Sequence, residues 1–282
     1  FGGGSVRFDA GRDVVGGLAQ AGGRDLQVHA GRDIAQPSDL DSDGSPSALI
    51  LANENTAVRA SARRDLQLGA LQSSHALNGS WISGLEADAS ARVVATAGNL
   101  GYQSVAEPLA SDNSSNAVLG VLPTQVTLAA PQGSIAIGRA PGGPMPLIQQ
   151  AQSAETRLDL LAQNHVEVAA SLQVNASWTQ GVAYHDASGQ DTDSLTGEGL
   201  PGSAWLALAY NDLSRGDGAG LDRTDRRSVR VVAAEGDVTV SGAIRSARPV
   251  ALSAGRDIAF TGNNVNSGLE IQHQAVRLDA GA

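Results

Sequence analysis

The sequence contains no cysteine and, among its 19 basic residues, no lysine. Without cysteine the chain forms no disulfide bond and offers no thiolate nucleophile or cysteine-ligated zinc site. Its 29 acidic residues outnumber the arginines and give a formal charge of −10. Because an acidic chain repels phosphate backbones, we expect no nucleic acid as a partner. No apolar run approaches the roughly 18 residues that span a bilayer, so we expect no membrane insertion either.

Large side chains are also scarce, with three residues each of Trp, Tyr and Phe, one Met and 34 Gly. The apolar fraction of 41% is therefore made mostly of Ala, Val, Leu and Ile, which favours a narrow and repetitive interior. The chain opens Phe1-Gly2-Gly3-Gly4 with neither a methionine nor a signal peptide, and its last residues begin a further repeat. We therefore expect a segment of a longer protein, with any targeting signal outside it.

One phrase recurs along the chain: alternating apolar residues, then Ala-Gly-Arg-Asp, then another apolar residue. Asp237 and Asp257 delimit one bare repeat of about 20 residues, and other intervals are longer or shorter. Clear and looser copies lie at 6–14, 21–28, 29–34, 58–68, 93–100, 126–137, 158–168, 229–240 and 250–260, and a further copy opens at 276–281.

Each phrase predicts a strand, a tight turn and a second strand. Period-two alternation flanks a Gly and an Asp or Asn, which are the residue types that turns favour. A strand pair this short cannot bury its own apolar side, but stacked coils can, each adding roughly 4.8 Å along the axis. The sequence therefore predicts a parallel β-solenoid with inward Val, Leu, Ile and Ala. The Asp residues of the phrase are interpreted as turn residues and not as catalytic ones.

The best copies are Leu26-Gln27-Val28-His29-Ala30-Gly31-Arg32-Asp33-Ile34 and Val250-Ala251-Leu252-Ser253-Ala254-Gly255-Arg256-Asp257-Ile258. They resemble the haemagglutinin-type repeats of filamentous haemagglutinin-like exoproteins, which are the secreted partners of Gram-negative two-partner secretion systems. The resemblance covers about half of the chain. It implies a right-handed parallel β-helix, export through an outer-membrane two-partner secretion transporter, and a surface adhesin of a Gram-negative bacterium.

The departures from the phrase suggest a division of the chain, because function in a solenoid usually lies where loops leave the coils. We expect β-helix coils at both ends and in part of the middle, interrupted by irregular insertions and by one extruding loop or small subdomain. In order, these are coils at 1–106, insertions around a coil at 107–156, a coil at 157–182, the extruding segment at 183–228 and coils at 229–282.

An acidic loop is the sharpest local motif. Asp39, Asp41 and Asp43 alternate and are followed by Gly44, as in loops that wrap oxygen ligands around Ca²⁺. An EF-hand would place a glutamate where this chain has Ile50, so the complete EF-hand pattern fails. Two interpretations stay open, a Ca²⁺ site and a solvated acidic turn. No other cofactor is expected.

Two tryptophans hold matched positions after repeat phrases. Asn78 precedes Trp81, and Asn175 precedes Trp178, each with a serine between them. A tryptophan can stack on a pyranose ring while neighbouring amides and hydroxyls bind its hydroxyl groups, so these four residues are candidates for glycan binding. The alternative is that each tryptophan caps the core at a corner of the solenoid. Further candidates in the extruding segment are Tyr184 and Trp205.

The same extruding segment carries Arg215-Gly216-Asp217, the tripeptide that integrin ligands present on exposed loops. In a chain so rich in Arg, Gly and Asp, a chance occurrence is the alternative. Signals for catalysis are few, because no paired-histidine motif, nucleophile elbow or phosphate-binding loop is present. We therefore expect no enzyme. Carboxylates that stack between coils, such as Asp237 and Asp257, leave a carbohydrate-active β-helix as an alternative.

These observations lead to one expected function and one structural alternative. We expect a noncatalytic segment of a secreted adhesin that mediates attachment or aggregation, for example in a biofilm, by binding host or matrix glycans through its loops. The structural alternative is a passive β-helical stalk that presents a distal binding or toxin domain.

Overall fold

All elements that the computed structural model describes are β-strands, and all but one antiparallel pair stack in parallel into long sheets. The structure describes residues 4–21, 24–36, 48–53, 57–73, 90–103, 120–138, 147–150, 156–174, 184–185, 191–192, 229–246, 249–262, 268–271 and 276–281.

Face A is a parallel sheet of nine strands, and each strand begins one coil of the chain, numbered here as coils 1 to 9. Each residue of one strand lies beside its counterpart in the next coil, as Val6 does beside Leu26. The strands are β1 (Val6–Ala10), β4 (Leu26–Ala30), β7 (Ala57–Ala62), β9 (Ser90–Ala95), β12 (Gln125–Ala130), β15 (Arg157–Ala162), β20 (Val229–Ala233), β23 (Val250–Ala254) and β26 (Val276–Ala280).

Face B follows face A in every coil that reaches it, and its strands also pair in parallel from coil to coil. The first half of β8 lies here, where Leu66 pairs with Ile34 and Leu100. The strands are β2 (Val14–Val15), β5 (Ile34–Ala35), β8 (Leu66–Ser73), β10 (Leu100–Tyr102), β13 (Ile135–Gly138), β16 (Val166–Ala169), β21 (Val238–Val240) and β24 (Ile258–Phe260).

Face C completes each coil. Its first part is β3 (Leu18–Ala21), β6 (Leu49–Asn53) and the second half of β8, and β11 packs next to β8. The rest is a parallel sheet of five strands. These are β11 (Gly120–Leu122), β14 (Leu147–Gln150), β17 (Ser171–Val174), β22 (Ala243–Ser246) and β25 (Gly268–Ile271). Outside the coils, β18 (Tyr184–His185) and β19 (Asp191–Thr192) form an antiparallel pair.

The alternating sequence pattern decides which side chains point inward. In β12, Val126 and Leu128 are buried at 1% exposure each, whereas Gln125 and Thr127 between them are partly exposed. Equivalent inward residues of neighbouring coils stack into one continuous apolar core. The predicted parallel β-helix is therefore confirmed, and the right-handed twist stays a prediction from the resemblance.

An alanine ends every strand of face A. The seven alanines between the two terminal coils are at most 5% exposed, because the chain turns sharply here and the next coil lies against it. A larger side chain would have to displace the turn, which explains why the repeat keeps a methyl group at this place. The column consists of Ala10, Ala30, Ala62, Ala95, Ala130, Ala162, Ala233, Ala254 and Ala280.

The turn that follows this alanine, called the A–B corner here, is short in all described coils. It takes three residues in coil 1, at 11–13, and four in coil 4, at 96–99. The repeat copy at 21–28 does not mark such a corner. Its Arg24-Asp25 pair precedes β4, where the chain passes from face C back to face A, so two different corners carry a similar Gly-Arg-Asp signal.

Candidate interaction surface

A ladder of polar side chains runs along the A–B corner. In coils 1 to 7, the residue just before the face B strand accepts a hydrogen bond from the backbone N–H of the equivalent residue in the next coil. Along the chain, these bonds join residues 20, 32, 34, 35, 31, 72 and 20 positions apart, at donor–acceptor distances of 2.8 to 3.3 Å. The corner ladder consists of Asp13, Asp33, Asp65, Asn99, Ser134, His165, Asp237 and Asp257.

Arginines strengthen three steps of the corner ladder. The carboxylate of Asp237 accepts hydrogen bonds from Nε of Arg256 at 3.0 Å and from its terminal nitrogen at 2.5 Å, and Arg256 belongs to the next coil. Asp13 and Asp33 hold the arginine of the following coil in the same two-point manner. These charge-assisted bonds are the stronger class of hydrogen bond, and the two-point geometry also fixes the register of the coils.

The same contacts lower the pKa of three ladder carboxylates. The hydrogen bond from Arg256 lowers the pKa of Asp237, and the corresponding arginines lower the pKa of Asp13 and of Asp33. A carboxylate that serves as a general acid needs the opposite shift, because it must keep its proton near neutral pH. The N–H of Asp257 donates to Asp237 at 3.2 Å, so this stacked pair joins two coils. The Asp residues of the corner ladder lie in turns, as the sequence predicted, and they also join neighbouring coils.

The middle of the corner ladder lacks this arginine support. Asn99 follows Gly98 in coil 4, and Ser134 follows Gly133 in coil 5, so neither is preceded by an arginine. In coil 6 the acceptor is Nδ1 of His165, which receives the N–H of Asp237 at 3.1 Å. At this part of the corner, the hydrogen bonds between coils form without an arginine.

One buried carboxylate lies on the outer side of face A, and no sequence pattern pointed to it. Asp159 is 1% exposed and accepts contacts of 2.6 Å from Nε of Arg157, in the same strand, and from Nε of Arg230 in the next coil. A buried charge is tolerated when it is paired in this way. Asp159 therefore links coils 6 and 7, the two coils that the longest connection separates.

The longer connections all lie at the other two corners of the β-helix, between faces B and C and between faces C and A. From face B to face C, long connections join β5 to β6, β10 to β11 and β13 to β14. From face C to face A, the longest connections join β8 to β9 and β17 to β20. The A–B corner therefore forms an uninterrupted edge in the described coils, while the added chain concentrates around face C.

The two predicted tryptophan motifs fall in connections of the same type. Residues 74–89, which carry Asn78 and Trp81, join face C to face A between coils 3 and 4. Residues 175–228 make the same connection between coils 6 and 7 and carry Asn175 and Trp178. These four side chains lie outside the described residues, so their role as ligands stays a prediction.

The other candidate binding residues in 175–228 lie partly inside and partly outside the described residues. The backbone of Tyr184 is described and pairs with Thr192 in the antiparallel pair of β18 and β19. Trp205 and the tripeptide Arg215-Gly216-Asp217 lie outside the described residues.

The acidic loop also lies beyond what the structure describes. Asp39, Asp41 and Asp43 belong to the connection between β5 on face B and β6 on face C. Within the described residues, no group of three His, Asp or Glu side chains could hold a metal ion. The predicted Ca²⁺ site therefore stays a prediction for the acidic loop.

Comparison of the chain with family models, with curated proteins and with solved structures finds no match. None of the described elements is a helix long and apolar enough to cross a membrane.

Proposed function

We propose that the chain is a noncatalytic segment of a secreted adhesin on the surface of a Gram-negative bacterium, in which a β-helix carries glycan-binding segments along one edge. One observation supports it most directly: both matched tryptophan motifs belong to connections from face C to face A. The fold also agrees with the resemblance of the repeats to filamentous haemagglutinin-like exoproteins, which are exported through an outer-membrane two-partner secretion transporter.

The spacing of the two connections suits an extended ligand. They are three coils apart, which is about 14 Å along the axis at roughly 4.8 Å per coil. Two connections that start at this separation could bind different sugar units of one polysaccharide, each through a tryptophan that stacks on a ring. Host or matrix polysaccharides are therefore the proposed ligands. A Ca²⁺ ion held by Asp39, Asp41 and Asp43 would order the acidic loop that carries them.

The passive stalk is a second candidate because of the corner ladder. A continuous series of inter-coil bonds, reinforced by arginine pairs near both ends, suits a rod that bears load between a cell and a distal domain. The two candidates differ in what the segment itself binds, since a stalk needs no ligand.

Binding of the purified chain to a broad glycan array, in Ca²⁺ buffer and again in EDTA, tests the proposal. We expect reproducible binding to one class of glycan, lost in the double variant Trp81→Ala, Trp178→Ala. The variant Phe260→Ala removes an aromatic side chain that is 44% exposed on face B, and it should bind like the unchanged chain. A loss of signal in EDTA would show that binding requires Ca²⁺, for which Asp39, Asp41 and Asp43 are the candidate ligands.

An array that stays blank with a folded sample would contradict the glycan proposal and favour the stalk. Binding that survives the double tryptophan variant would place the ligand elsewhere on the molecule.

A further inference from the structure

The outer side of face A carries a surplus of positive charge, although the chain as a whole is acidic. The six neighbouring strands of coils 3 to 8 contain four arginines and one carboxylate, whereas the complete chain has 19 basic and 29 acidic residues. All five charged residues lie at outward positions of the alternating pattern. The carboxylate is Asp159, and the four arginines, called the face A arginines here, are Arg59, Arg92, Arg157 and Arg230.

Two of the face A arginines lie side by side. In the register of β7 and β9, Arg59 is the direct neighbour of Arg92, and neighbouring strands are only about 4.8 Å apart. Like charges at such positions destabilise a sheet. Arg59 has a long contact of 3.9 Å with Asp25, which is worth little on an exposed surface, and Arg92 joins no ion pair within the described residues. An anion bound between the two guanidinium groups would remove this repulsion.

The other two face A arginines flank the buried carboxylate of Asp159. Arg157 and Arg230 each contact it through Nε at 2.6 Å, and their side chains are still 44% and 43% exposed. A guanidinium has five N–H donors, so this contact does not exhaust the donors of either arginine. Two arginines against one carboxylate also leave a net positive charge at this place.

An uncharged coil separates the two pairs of arginines. Thr127 of coil 5 lies between Arg92 of coil 4 and Asp159 of coil 6 and is the register neighbour of both. The first pair is centred between coils 3 and 4 and the second between coils 6 and 7, which are about 14 Å apart at roughly 4.8 Å per coil. Two positive spots at this distance suit a polymer that carries anionic groups at intervals.

Both connections proposed to bind glycans end next to these spots. Residues 74–89 lead into β9, whose third residue is Arg92. Residues 175–228 lead into β20, whose second residue is Arg230. A polysaccharide bound where these connections join the coils would therefore meet both positive spots.

From these features we propose that the polysaccharide ligand is acidic and that its carboxylate groups bind the face A arginines at the two positive spots. This inference rests on the proposed function, because it names the chemistry of that ligand. A planar carboxylate accepts two parallel N–H bonds from one guanidinium group. The acidic remainder of the chain does not prevent this, since charges farther away than a Debye length of about 8 Å are largely screened at physiological ionic strength.

A polysaccharide suits this surface better than a nucleic acid does. The six strands of coils 3 to 8 on face A contain no aromatic residue on which a base could stack. A DNA duplex carries one charge per about 1.7 Å, which is far denser than two spots about 14 Å apart. Such a polyanion would also extend over the acidic parts of the chain, which repel it.

Titration calorimetry of the intact chain with hyaluronan tests the proposal, because this polymer carries a carboxylate on every second sugar. The matched ligand is the same polymer after chemical reduction of its carboxylates to alcohols. We expect hyaluronan to bind at least about tenfold more tightly than the reduced polymer. The difference should shrink as salt is added, because salt screens exposed charges.

A pair of double variants locates the binding. Arg59→Gln with Arg92→Gln removes the first positive spot and should weaken hyaluronan binding at least about tenfold. Its urea midpoint should not fall, because the substitutions also remove a contact between like charges. The control, Arg12→Gln with Arg63→Gln, removes the same charge from the A–B corner and should bind hyaluronan like the unchanged chain.

Equal affinity for the two polymers, lost in the variant Trp81→Ala, Trp178→Ala, would overturn this inference and leave the proposed function in place. Hyaluronan binding that survives the loss of Arg59 and Arg92, or that falls equally in the control, would overturn it as well. So would tighter binding of single-stranded DNA than of hyaluronan. A folded chain that binds no polysaccharide at all would contradict the proposed function itself.

Discussion

The carboxylate of Asp33 is bound by two groups of the next coil: the guanidinium of Arg64, whose Nε lies 3.1 Å away, and the backbone N–H of Asp65 at 3.2 Å. A single side chain thereby fixes both the position of the turn and the register of two coils. These two-point contacts join different repeat phrases, because Arg32, Arg64 and Arg256 each bind the Asp of the preceding coil. Arg32 also lies 3.5 Å from Asp33 of its own phrase.

Because Asp33 binds two groups, two substitutions at this position should lower the stability of the fold by different amounts. Asp33→Asn keeps an oxygen that can accept the N–H of Asp65 but loses the charge that attracts Arg64, whereas Asp33→Ala loses both. We expect both variants to unfold at lower urea concentration than the unchanged chain, and Asp33→Ala to unfold first. Asn99 already occupies a ladder position and accepts the N–H of Ser134 at 2.9 Å, so an asparagine fits the site. Equal midpoints for the two variants would mean that the backbone hydrogen bond contributes nothing.

Acid should weaken the corner ladder in a defined direction. The arginine hydrogen bonds hold the pKa of Asp13, Asp33 and Asp237 below the ordinary value of 3.8. A carboxylate with a lowered pKa in the folded state stabilises the fold at pH values above its unfolded pKa, and this contribution disappears as pH falls through the folded pKa. We therefore expect the urea midpoint to fall as pH decreases from about 5 to about 2.

The variant with asparagine at all three of these positions is the control for the acid effect. Its urea midpoint should be lower near neutral pH and should depend less steeply on pH in the same range. An unchanged pH dependence in this variant would assign the acid effect to other carboxylates.

Two glycines of the same phrase should respond differently to a methyl group. A Cβ on Gly31 overlaps the carbonyl oxygen of Gly11, because coils 1 and 2 approach closely at the corner, whereas a Cβ on Gly11 meets no atom within 4 Å. We expect Gly31→Ala to lower the free energy of unfolding by about 1–3 kcal/mol. Gly11→Ala should have nearly the same free energy of unfolding as the unchanged chain. If both variants lost similar free energy of unfolding, the cause would be the backbone conformation of these glycines and not the close approach of coils 1 and 2.

Sequence reasoning predicted the parallel β-helix because its signals are local. Alternation in segments such as β12 identifies the inward residues, and the recurrence of Ala-Gly-Arg-Asp identifies the coils. The bare repeat between Asp237 and Asp257 is confirmed by the hydrogen bond that joins them.

Contacts between coils were harder to predict because they depend on which phrases become neighbours. Arg24-Asp25 and Arg32-Asp33 look alike in sequence, yet they lie at different corners, and only the stacking order distinguishes them. Asp159 was missed for the same reason, since its partner Arg230 is 71 residues away and the intervening chain gives no sign of the pairing. The glycan and Ca²⁺ sites predicted from the tryptophan motifs and the acidic loop stay predictions, because those side chains lie outside the described residues.

The central claim is that the β-helix folds without its long connections and that the connections from face C to face A carry the binding function. Residues 247–249 already connect face C to face A between β22 and β23, and the ends of β17 and β20 occupy the same register positions one coil earlier. Replacing residues 175–228 by a copy of these three residues should therefore leave the coils in register.

The most direct measurement is urea unfolding of this shortened chain followed by circular dichroism, together with its binding to the glycan array. We predict a cooperative β-sheet transition at nearly the midpoint of the unchanged chain, and weakened or lost glycan binding. A shortened chain that fails to fold would contradict the scaffold claim, and a folded one with undiminished binding would contradict the assignment of binding to this segment.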